Sequence, residues 1–339
     1  MTDKKKLTLK DIAKALNISI STVSRALKEH PDISNDTIKL VKAYAEEHHY
    51  VPNLLAVNFR QNKSYNIGLI IPELVHHFFS SVISGVIQTA NQHGYNLMIC
   101  QSNEKLEDEI KVANALFTSR VDGLLISLSN ETDRFEHLFQ FLEDDIPVVQ
   151  FDKISDKLAV PSVTVDDFHG AYKAVSHMIQ KGHRKIAHIR GRLIVQNASE
   201  RCKGYEKALE DHGCEQHADW IKVGKDITEE EGYTYAKELM ESDNPPNAFF
   251  CITDLVALGV MKYLKDHAFK IPEDVMVMGF SNWKMAEFVT PALSSVDQPG
   301  FLIGQKATEL LLESIKNDES RMAKTVVLPT TLVIRASTG

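Results

Sequence analysis

The chain has few of the features that mark an exported or membrane protein. Among its 339 residues there are four cysteines, which lie far apart and form no CxxC pair. Reduced thiols are therefore expected, and a disulfide framework is not. No stretch approaches the ~18–20 continuous apolar residues that a membrane span requires, and no apolar run follows the lysines of the N-terminal MTDKKKLTLKD. We expect a cytoplasmic protein with no secretion signal and no membrane partner.

The sequence also lacks the short motifs of several enzyme classes. Its sixteen glycines form neither a G-x-G-x-x-G nor a G-x-x-x-x-G-K-[ST] nucleotide-binding pattern, and G-x-S-x-G and H-E-x-x-H are absent as well. The pairs His48-His49 and His76-His77 have no nearby residues that complete a set of metal ligands. We therefore expect no enzyme, no bound metal and no cofactor.

Charge is distributed unevenly along the chain, whose net charge is −8. Residues 1–63 carry 11 Lys and Arg against 7 Asp and Glu, whereas the rest carries 27 against 39. A small basic head on a larger acidic body is typical of a head that binds a polyanion. The length also exceeds what one hydrophobic core usually serves, so two or three domains are expected.

The basic head predicts three short helices. TLKD, residues 8–11, is a capping-box pattern, and Ser19 is placed to cap the second helix. The third helix is predicted to start near Ser34. Apolar residues recur at helical spacing in each helix: Ile12, Ala13 and Leu16, then Val23, Ala26 and Leu27, then Ile38, Val41 and Ala45. With a tight turn between the first two, these helices form a helix-turn-helix unit.

The exposed face of the second predicted helix has the side chains of a DNA-reading surface. One continuous stripe holds Ile20, Ser21, Ser24, Arg25 and Lys28. The N-terminal part of such a helix enters the major groove, where Arg25 could bind guanine O6 and N7 and Ile20 could contact a thymine methyl group. Phosphates could be held by Ser19, Thr22 and Ser24. The alternative is an amphipathic helix whose solvated face is merely polar.

The pattern changes after the head. Residues 51–63 are predicted to form a linker in which Pro52 is placed to begin a helix. This helix is too short to be stable unless a partner holds it. From Asn66 onward, strand-like runs such as IGLIIP, NLMICQ and VMVMGF alternate with helix-length segments. This alternation indicates a parallel sheet covered by helices on both faces. The segment is long for one sheet, so two similar halves are expected.

The stretch LTLKDIAKALNISISTVSRAL, followed by YVPN and IGLIIP, resembles the LacI/GalR family of bacterial transcription regulators over nearly the whole chain. The resemblance implies an all-α helix-turn-helix headpiece (residues 1–50), a hinge helix (51–63) and an α/β effector domain (64–339). That domain is expected to be like the type I periplasmic binding proteins, with two subdomains built on parallel sheets. It also implies a homodimer on a pseudo-palindromic DNA operator. No leucine heptad follows VVLPTTLVIRASTG, so a tetramer held by the tail is not expected.

Three crossovers between the subdomains are predicted, near 163–166, 291–298 and 325–333. One subdomain then comprises about 64–163 with 295–324. The other comprises about 164–294 with 325–339.

The resemblance also implies which residues contact DNA. Its base-reading positions fall on Ile20, Ser21 and Arg25, and its phosphate contacts fall on Thr8, Ser19, Thr22 and Ser24. In the hinge, Phe59 stands where the family usually has a leucine that wedges into the minor groove, and packing against the partner's hinge is the alternative. Arg60 and Asn53 are predicted backbone contacts.

The effector positions implied by the resemblance are Phe78, Phe79, Asp152, Asn197, Arg201, Ser281, Asn282, Trp283 and Gln298. Arg201, within R-x-x-G-Y, is the leading candidate because a guanidinium can hold vicinal hydroxyls or a carboxylate. An interdomain salt bridge is its alternative role. Core packing is the alternative for the two phenylalanines and for Trp283. Asp254 is expected to cap the helix that follows it.

One effector position departs from the family. Many relatives read G-[YF]-D-N where this chain has GFSN, so Ser281 replaces a carboxylate. That loss raises the prospect of an acidic sugar, either a uronate or a sugar phosphate.

These observations predict a regulator, in the simplest case a repressor, that is controlled by a small sugar or sugar derivative. One alternative is a regulator that depends on a purine corepressor. Another is a sugar-binding protein without DNA function, against which the basic helical head argues.

Overall fold

The computed structural model describes residues 7–50, 63–74 and 77–339. The chain divides into two compact units, residues 1–64 and residues 65–339. Nearly all of the predicted hinge, with Asn53, Phe59 and Arg60, lies outside the described residues.

The first unit contains the three predicted helices, which are α1 (Leu9–Ala15), α2 (Ile20–Leu27) and α3 (Asn35–Glu47). Each begins at a hydroxyl cap: Thr8 forms a capping box with Asp11, and Ser19 and Ser34 accept hydrogen bonds from backbone N–H groups three residues on. The helices enclose a small core made of Ile12, Ala13, Val23, Ala26, Val41 and Ala45. Because so little apolar surface is buried, the caps supply a notable share of the stability of these short helices.

The second unit contains two six-stranded sheets. The first has the strand order β11-β5-β4-β3-β1-β2. Its strands are β1 (Asn66–Ile71), β2 (Asn96–Gln101), β3 (Gly123–Ile126), β4 (Val148–Phe151), β5 (Ser162–Val165) and β11 (Thr325–Leu328). All its pairings are parallel. The accompanying helices are α4 (His77–Gln92), α5 (Leu106–Thr118), α6 (Glu136–Glu143) and α11 (Gly300–Lys316).

The second sheet has the strand order β12-β10-β9-β8-β6-β7, parallel except for β10 against β12. Its strands are β6 (Ile186–Arg190), β7 (Ile221–Val223), β8 (Ala248–Cys251), β9 (Met276–Ser281), β10 (Ser294–Asp297) and β12 (Thr331–Val333). Its helices are α7 (Asp167–Gln180), α8 (Gln196–Asp211), α9 (Glu229–Met240) and α10 (Asp254–Asp266). Short 3-10 helices lie at Ala218–Trp220, Lys284–Glu287 and Asp318–Arg321. The predicted fold class, a helical head with a two-sheet α/β body, is confirmed.

The chain passes between the two sheets three times, after β5, β10 and β11, but the sheets divide it differently from the predicted subdomains. Residues 162–165 and 325–328 belong to the first sheet, and residues 294–297 belong to the second. The predicted boundaries placed 164–165 and 325–328 with the second subdomain, and 295–297 with the first. Local sequence does not assign these strands to a sheet, because each has only four residues and none carries a pattern specific to one sheet. Pairing with distant strands decides the sheet to which each belongs.

Helix pairs in the second unit pack closely through glycines. A Cβ on Gly85 in α4 would lie 2.1 Å from the carbonyl oxygen of Phe301 in α11, and one on Gly304 would lie 2.1 Å from that of Val82. The two helices therefore contact backbone to backbone beneath the first sheet. None of the helices in the described ranges is long and apolar enough to cross a membrane.

Candidate functional site

The outer face of α2 is presented as the sequence predicts. Val23 and Ala26 are fully buried, while Ile20 and Ser21 are exposed and the side chain of Arg25 is 58% exposed. Arg25 has one weak ion-pair contact, with Asp32 at 4.0 Å. An exposed pair at that distance contributes little, so the guanidinium is available to a partner.

The hydroxyls at the start of α2 are linked to one another. The Ser19 Oγ accepts from the Thr22 N–H at 3.0 Å and lies 2.7 Å from the Ser21 Oγ and 2.8 Å from the Thr22 Oγ1. Thr8 donates its hydroxyl to Asp11 at 2.6 Å. Thr8 and Ser19 thus have cap functions in this structure, and phosphate contacts by these residues and by Thr22 and Ser24 stay predictions.

A second candidate site is a cleft in the second unit, with about 820 Å³ of space between the protein atoms when the open solvent at its mouth is included. Its walls come from segments that follow β1, β2, β3 and β4 in the first sheet and β6, β7 and β8 in the second, together with the end of β9 and the crossover after β10. The carboxyl ends of parallel strands are where ligands bind in such folds. Seven of the nine predicted effector residues line the cleft: Phe78, Phe79, Asp152, Asn197, Arg201, Ser281 and Gln298.

The two phenylalanines lie between the core and the cleft. Phe78 and Phe79 lie in the first turn of α4, with ring centroids 5.2 Å apart in an edge-to-face arrangement. Both are more than nine-tenths buried and pack into the core of the first sheet, yet both line the cleft. They give the cleft a rigid apolar wall on which a ring can stack.

Asp152 connects the two sides of the cleft. It follows β4 with a left-handed φ of 57°, and it is buried. Its carboxylate accepts from the Ser127 hydroxyl and from the amide of Asn197 in α8, each at 3.4 Å. Both bonds are at the long limit, so they are weak. Burial raises the pKa of Asp152, although Lys153 and Arg201 oppose the shift.

Arg201 is buried and fully oriented. Its Nε donates to the Asp167 carboxylate at 2.7 Å, its Nη1 donates to the Ile252 carbonyl at 2.8 Å, and its guanidinium carbon lies 3.6 Å from the centroid of the Phe280 ring. The ion pair exists as its alternative role predicts, but both partners accompany the second sheet, so it does not join the subdomains. The Nη2 has no hydrogen-bond partner among the described residues, and Arg201 lines the cleft.

Ser281 orients Gln298. The Ser281 hydroxyl donates to the Gln298 Oε1 at 2.9 Å, which fixes the direction of the amide. The Gln298 Nε2 is buried and makes no hydrogen bond within the described part of the chain, although the residue lines the cleft. Buried amide donors are rarely left unpaired. A ligand oxygen in the cleft is the natural partner for this one.

Asn282 and Trp283 are not brought into the lining of the cleft. The Asn282 amide donates to Asp297 at 2.8 Å and accepts from Arg335 at 2.8 Å. The backbone N–H of Trp283 donates to the Asp254 carboxylate. These bonds hold the turn after β9, so the structure gives both residues a structural position, and their proposed ligand contacts have no support here.

Asp254 is not the cap of α10, because the Thr253 hydroxyl caps it and Asp254 is the first helical residue. Its carboxylate is buried and accepts from the Ser295 hydroxyl at 2.5 Å as well as from Trp283. Asp254 therefore connects α10, the turn after β9 and strand β10. Sequence reasoning missed this role because it depends on residues about 30 and 40 positions away.

Asp254 makes stability depend on pH. Burial raises its pKa from 3.8 to about 7, against the hydrogen bonds that lower it. Between these pH values the folded chain keeps a proton that the unfolded chain releases, so stability present at low pH is lost as the pH rises toward 7. Asp254→Asn resembles the protonated carboxyl. We expect the variant's unfolding free energy to fall less steeply over this window, by about 0.5–1 kcal/mol per pH unit.

Denaturant unfolding at several pH values would measure how steeply the unfolding free energy changes with pH. Asp266→Asn is the control, since Asp266 is exposed at the far end of the same helix. The same pH dependence in Asp254→Asn and the unaltered chain would contradict the claim that Asp254 makes stability depend on pH.

Several cleft residues were not predicted from the sequence: Glu73, Glu104, Asn130, Lys153, Arg192, Asp226, Thr228 and Thr253. Lys153 pairs with Glu104 and donates to the Asn130 side chain at 2.8 Å. The loop that carries Asn130 is held by Glu109, which accepts from the Ser129 N–H at 2.6 Å. No short motif marks these positions, and their place after strand ends is the one signal that could have found them.

Within the described ranges, no group of three or more His, Cys, Asp or Glu residues could hold a metal ion. The donors that line the cleft suit a polar organic ligand with ring hydroxyls or acidic oxygens. A helix-turn-helix unit with an exposed polar recognition face, in one chain with such a cleft, defines the class of ligand-responsive transcription regulators.

Comparison with known proteins identifies the family. Residues 8–53 match the model of the bacterial regulatory proteins of the lacI family, and residues 64–335 match that of the periplasmic binding proteins and sugar binding domain of the LacI family. This chain belongs to the LacI family of DNA-binding transcription regulators. The resemblance seen in the sequence is confirmed.

Named relatives align over almost their full length. The NTD biosynthesis operon regulator NtdR of Bacillus subtilis is 32% identical over 98% of this chain and 99% of its own. The repressor CytR of Escherichia coli is 31% identical over 98% of this chain and 96% of its own. Both are named as regulators.

Solved structures agree with the fold. The regulator CelR in complex with cellobiose has a TM-score of 0.74 at 27% identity and covers 98% of this chain and 100% of its own. A lac repressor dimer bound to operator has a TM-score of 0.86 at 24% identity and covers 98% and 99%. A LacI family regulator from Enterococcus faecium with bound ribose has a TM-score of 0.71 at 26% identity and covers 81% and 98%.

Proposed function

We propose that this protein is a transcriptional repressor that binds a pseudo-palindromic operator as a homodimer and responds to a sugar or sugar derivative. It is not an enzyme, and it acts on DNA in the cytoplasm. The observation that carries the effector assignment concerns Gln298: the residue lines the cleft, and its buried Nε2 has no hydrogen-bond partner in the described part of the chain. The sugar-bound relatives support the same class of ligand.

The walls of the cleft suit a sugar in two ways. Phe78 and Phe79 offer an apolar surface for a ring face, while Arg201, Asn197 and Gln298 offer hydrogen bonds to its edge. Ser281 stands where many relatives have an aspartate, so the part of the cleft beside Gln298 lacks that negative charge. It therefore repels an acidic ligand group less than an aspartate would. A uronate or a sugar phosphate is therefore the preferred subclass.

In operation, Ile20, Ser21 and Arg25 read bases in each half-site, and Thr8, Ser19, Thr22 and Ser24 hold phosphates. The hinge residues Asn53, Phe59 and Arg60 contact the minor groove and backbone as the hinges fold on DNA. An effector that binds the two sides of the cleft with different affinity in two states shifts the subdomains, and thereby the hinges.

A thermal-shift experiment on the full chain tests the effector class. The panel holds ribose, cellobiose, glucuronate, glucose 6-phosphate and hypoxanthine. We expect a saturable rise in Tm with a sugar, largest for the acidic sugars, since a ligand that binds the folded state alone stabilises it by mass action. Gln298→Ala should abolish that rise, whereas Gln216→Ala, at a distant exposed position, should not.

The competing outcomes are distinct. A shift with hypoxanthine alone would replace the sugar by a purine effector. A shift with neutral sugars alone would overturn the acidic subclass. No shift with any probe would contradict the proposed effector chemistry.

A further inference from the structure

The loop between β7 and α9, residues 224–228, has an uncommon backbone. Ile227 lies at φ 58°, in the left-handed region. A β-branched residue is a true outlier there, and such strain is kept when the surroundings over-determine it. Asp226, Ile227 and Thr228 all line the cleft, so the strained segment forms part of its wall.

One side chain holds this backbone. The Glu231 carboxylate accepts three successive amides: the N–H of Lys225 at 2.8 Å, of Asp226 at 3.1 Å and of Ile227 at 2.7 Å. Hydrogen bonds to an ionised carboxylate are stronger than neutral ones. Because an amide side chain has one acceptor oxygen, glutamine at this position cannot accept all three in the same geometry.

The conformation places the loop's side chains in the cleft. Ile227 packs against the core of the second sheet, and a Cβ on Gly224 would lie 3.0 Å from its Cδ1. Asp226 is exposed, and its carboxylate makes no hydrogen bond among the described residues. The loop thus presents an apolar contact and a free acceptor at one wall of the cleft.

We infer that Glu231 is a positioning residue that holds the 224–228 loop in its ligand-facing conformation, and that this loop sets the affinity and selectivity for the effector. The inference rests on the proposed function for the identity of the ligand-binding cleft. Glu231 itself does not line the cleft. It acts through the three amides, and Asp226 and Ile227 make the contacts.

Amide hydrogen exchange in the full chain tests the positioning role without a ligand. We expect Glu231→Ala to speed exchange in residues 225–227 by at least about tenfold, since three charge-assisted bonds are lost, and Glu231→Gln to give an intermediate rate. Glu230→Ala is the matched control: Glu230 is the exposed neighbour in the same helix turn, and none of the three loop amides bonds to it. Equal exchange in Glu231→Ala and the unaltered chain would overturn the positioning role.

Calorimetric titration with glucuronate, ribose and cellobiose tests whether the 224–228 loop sets the affinity and selectivity for the effector. We expect Glu231→Ala to lower the affinity for the sugar that binds the unaltered chain by about tenfold or more. The order of affinities for the three sugars should also change, while the affinity for DNA without sugar stays the same. A loosened loop with unchanged sugar affinities would overturn the selectivity role. If the unaltered chain bound none of the sugars, the sugar assignment would fail, and exchange would still decide whether Glu231 positions the loop.

Discussion

Arg201→Ala is expected to lower the unfolding free energy by about 3–5 kcal/mol, because it leaves a buried carboxylate without its partner. Both side chains of the Arg201–Asp167 pair are at least 94% buried, and the substitution also removes the hydrogen bond to the Ile252 carbonyl. Burial already raises the pKa of Asp167 to about 6, and Arg201 is the main group that opposes this rise. Without Arg201 the pKa rises further, so the variant should regain stability as the pH falls.

The same variant should not respond to a sugar that stabilises the unaltered chain, since Arg201 lines the cleft. Its operator affinity should stay unchanged under conditions in which the variant is still folded. Denaturant unfolding, thermal shift with the sugar panel and operator binding would be measured on the same preparations.

A second substitution separates the two effects. The double variant Asp167→Asn with Arg201→Ala should recover part of the lost stability, because neither position of the pair then carries a buried charge. It should recover none of the sugar response. A stability within about 0.5 kcal/mol of the unaltered chain for Arg201→Ala alone would show that the ion pair contributes little. A full sugar response in either variant would remove Arg201 from the ligand site.

Arg25→Ala is expected to cost about 1–3 kcal/mol of affinity for the preferred DNA sequence, and to relax the preference at one base position in each half-site. The guanidinium is exposed on the face of α2 and is held by a single weak contact, so it is available for a bidentate bond to guanine. Selection from a randomised palindromic duplex library, followed by titration of the selected and substituted sites, would measure both quantities.

Lys14→Ala is the matched control, because it removes one positive charge from an exposed position in α1. It should weaken all sequences about equally and leave the preference intact. Equal weakening across sequences by Arg25→Ala would instead show that Arg25 contacts the phosphate backbone.

Local signals determined the headpiece from sequence. The capping box at Thr8, the cap at Ser19, the helix start near Ser34 and the spacing of Val23 and Ala26 all depend on residues close in sequence. Each is found in the structure as predicted. The alternation of strands and helices likewise determined the α/β class. Seven of the nine effector candidates implied by the family resemblance line the cleft, and their contacts with an effector stay predictions.

Partnerships over long sequence separations were decided by tertiary structure alone. The sheet to which β11 belongs depends on its pairing with β5, about 160 residues earlier. The role of Asp254 depends on Ser295 and Trp283, and that of Arg201 on Asp167. A sequence pattern reports which face of an element is apolar, but it does not report which distant polar group a buried charge will meet. These contacts are determined by how the packed helices and strands are arranged. Only the tertiary structure therefore reveals the charge pairs of the cleft, the unpaired donor of Gln298 and the hydrogen bonds of Glu231.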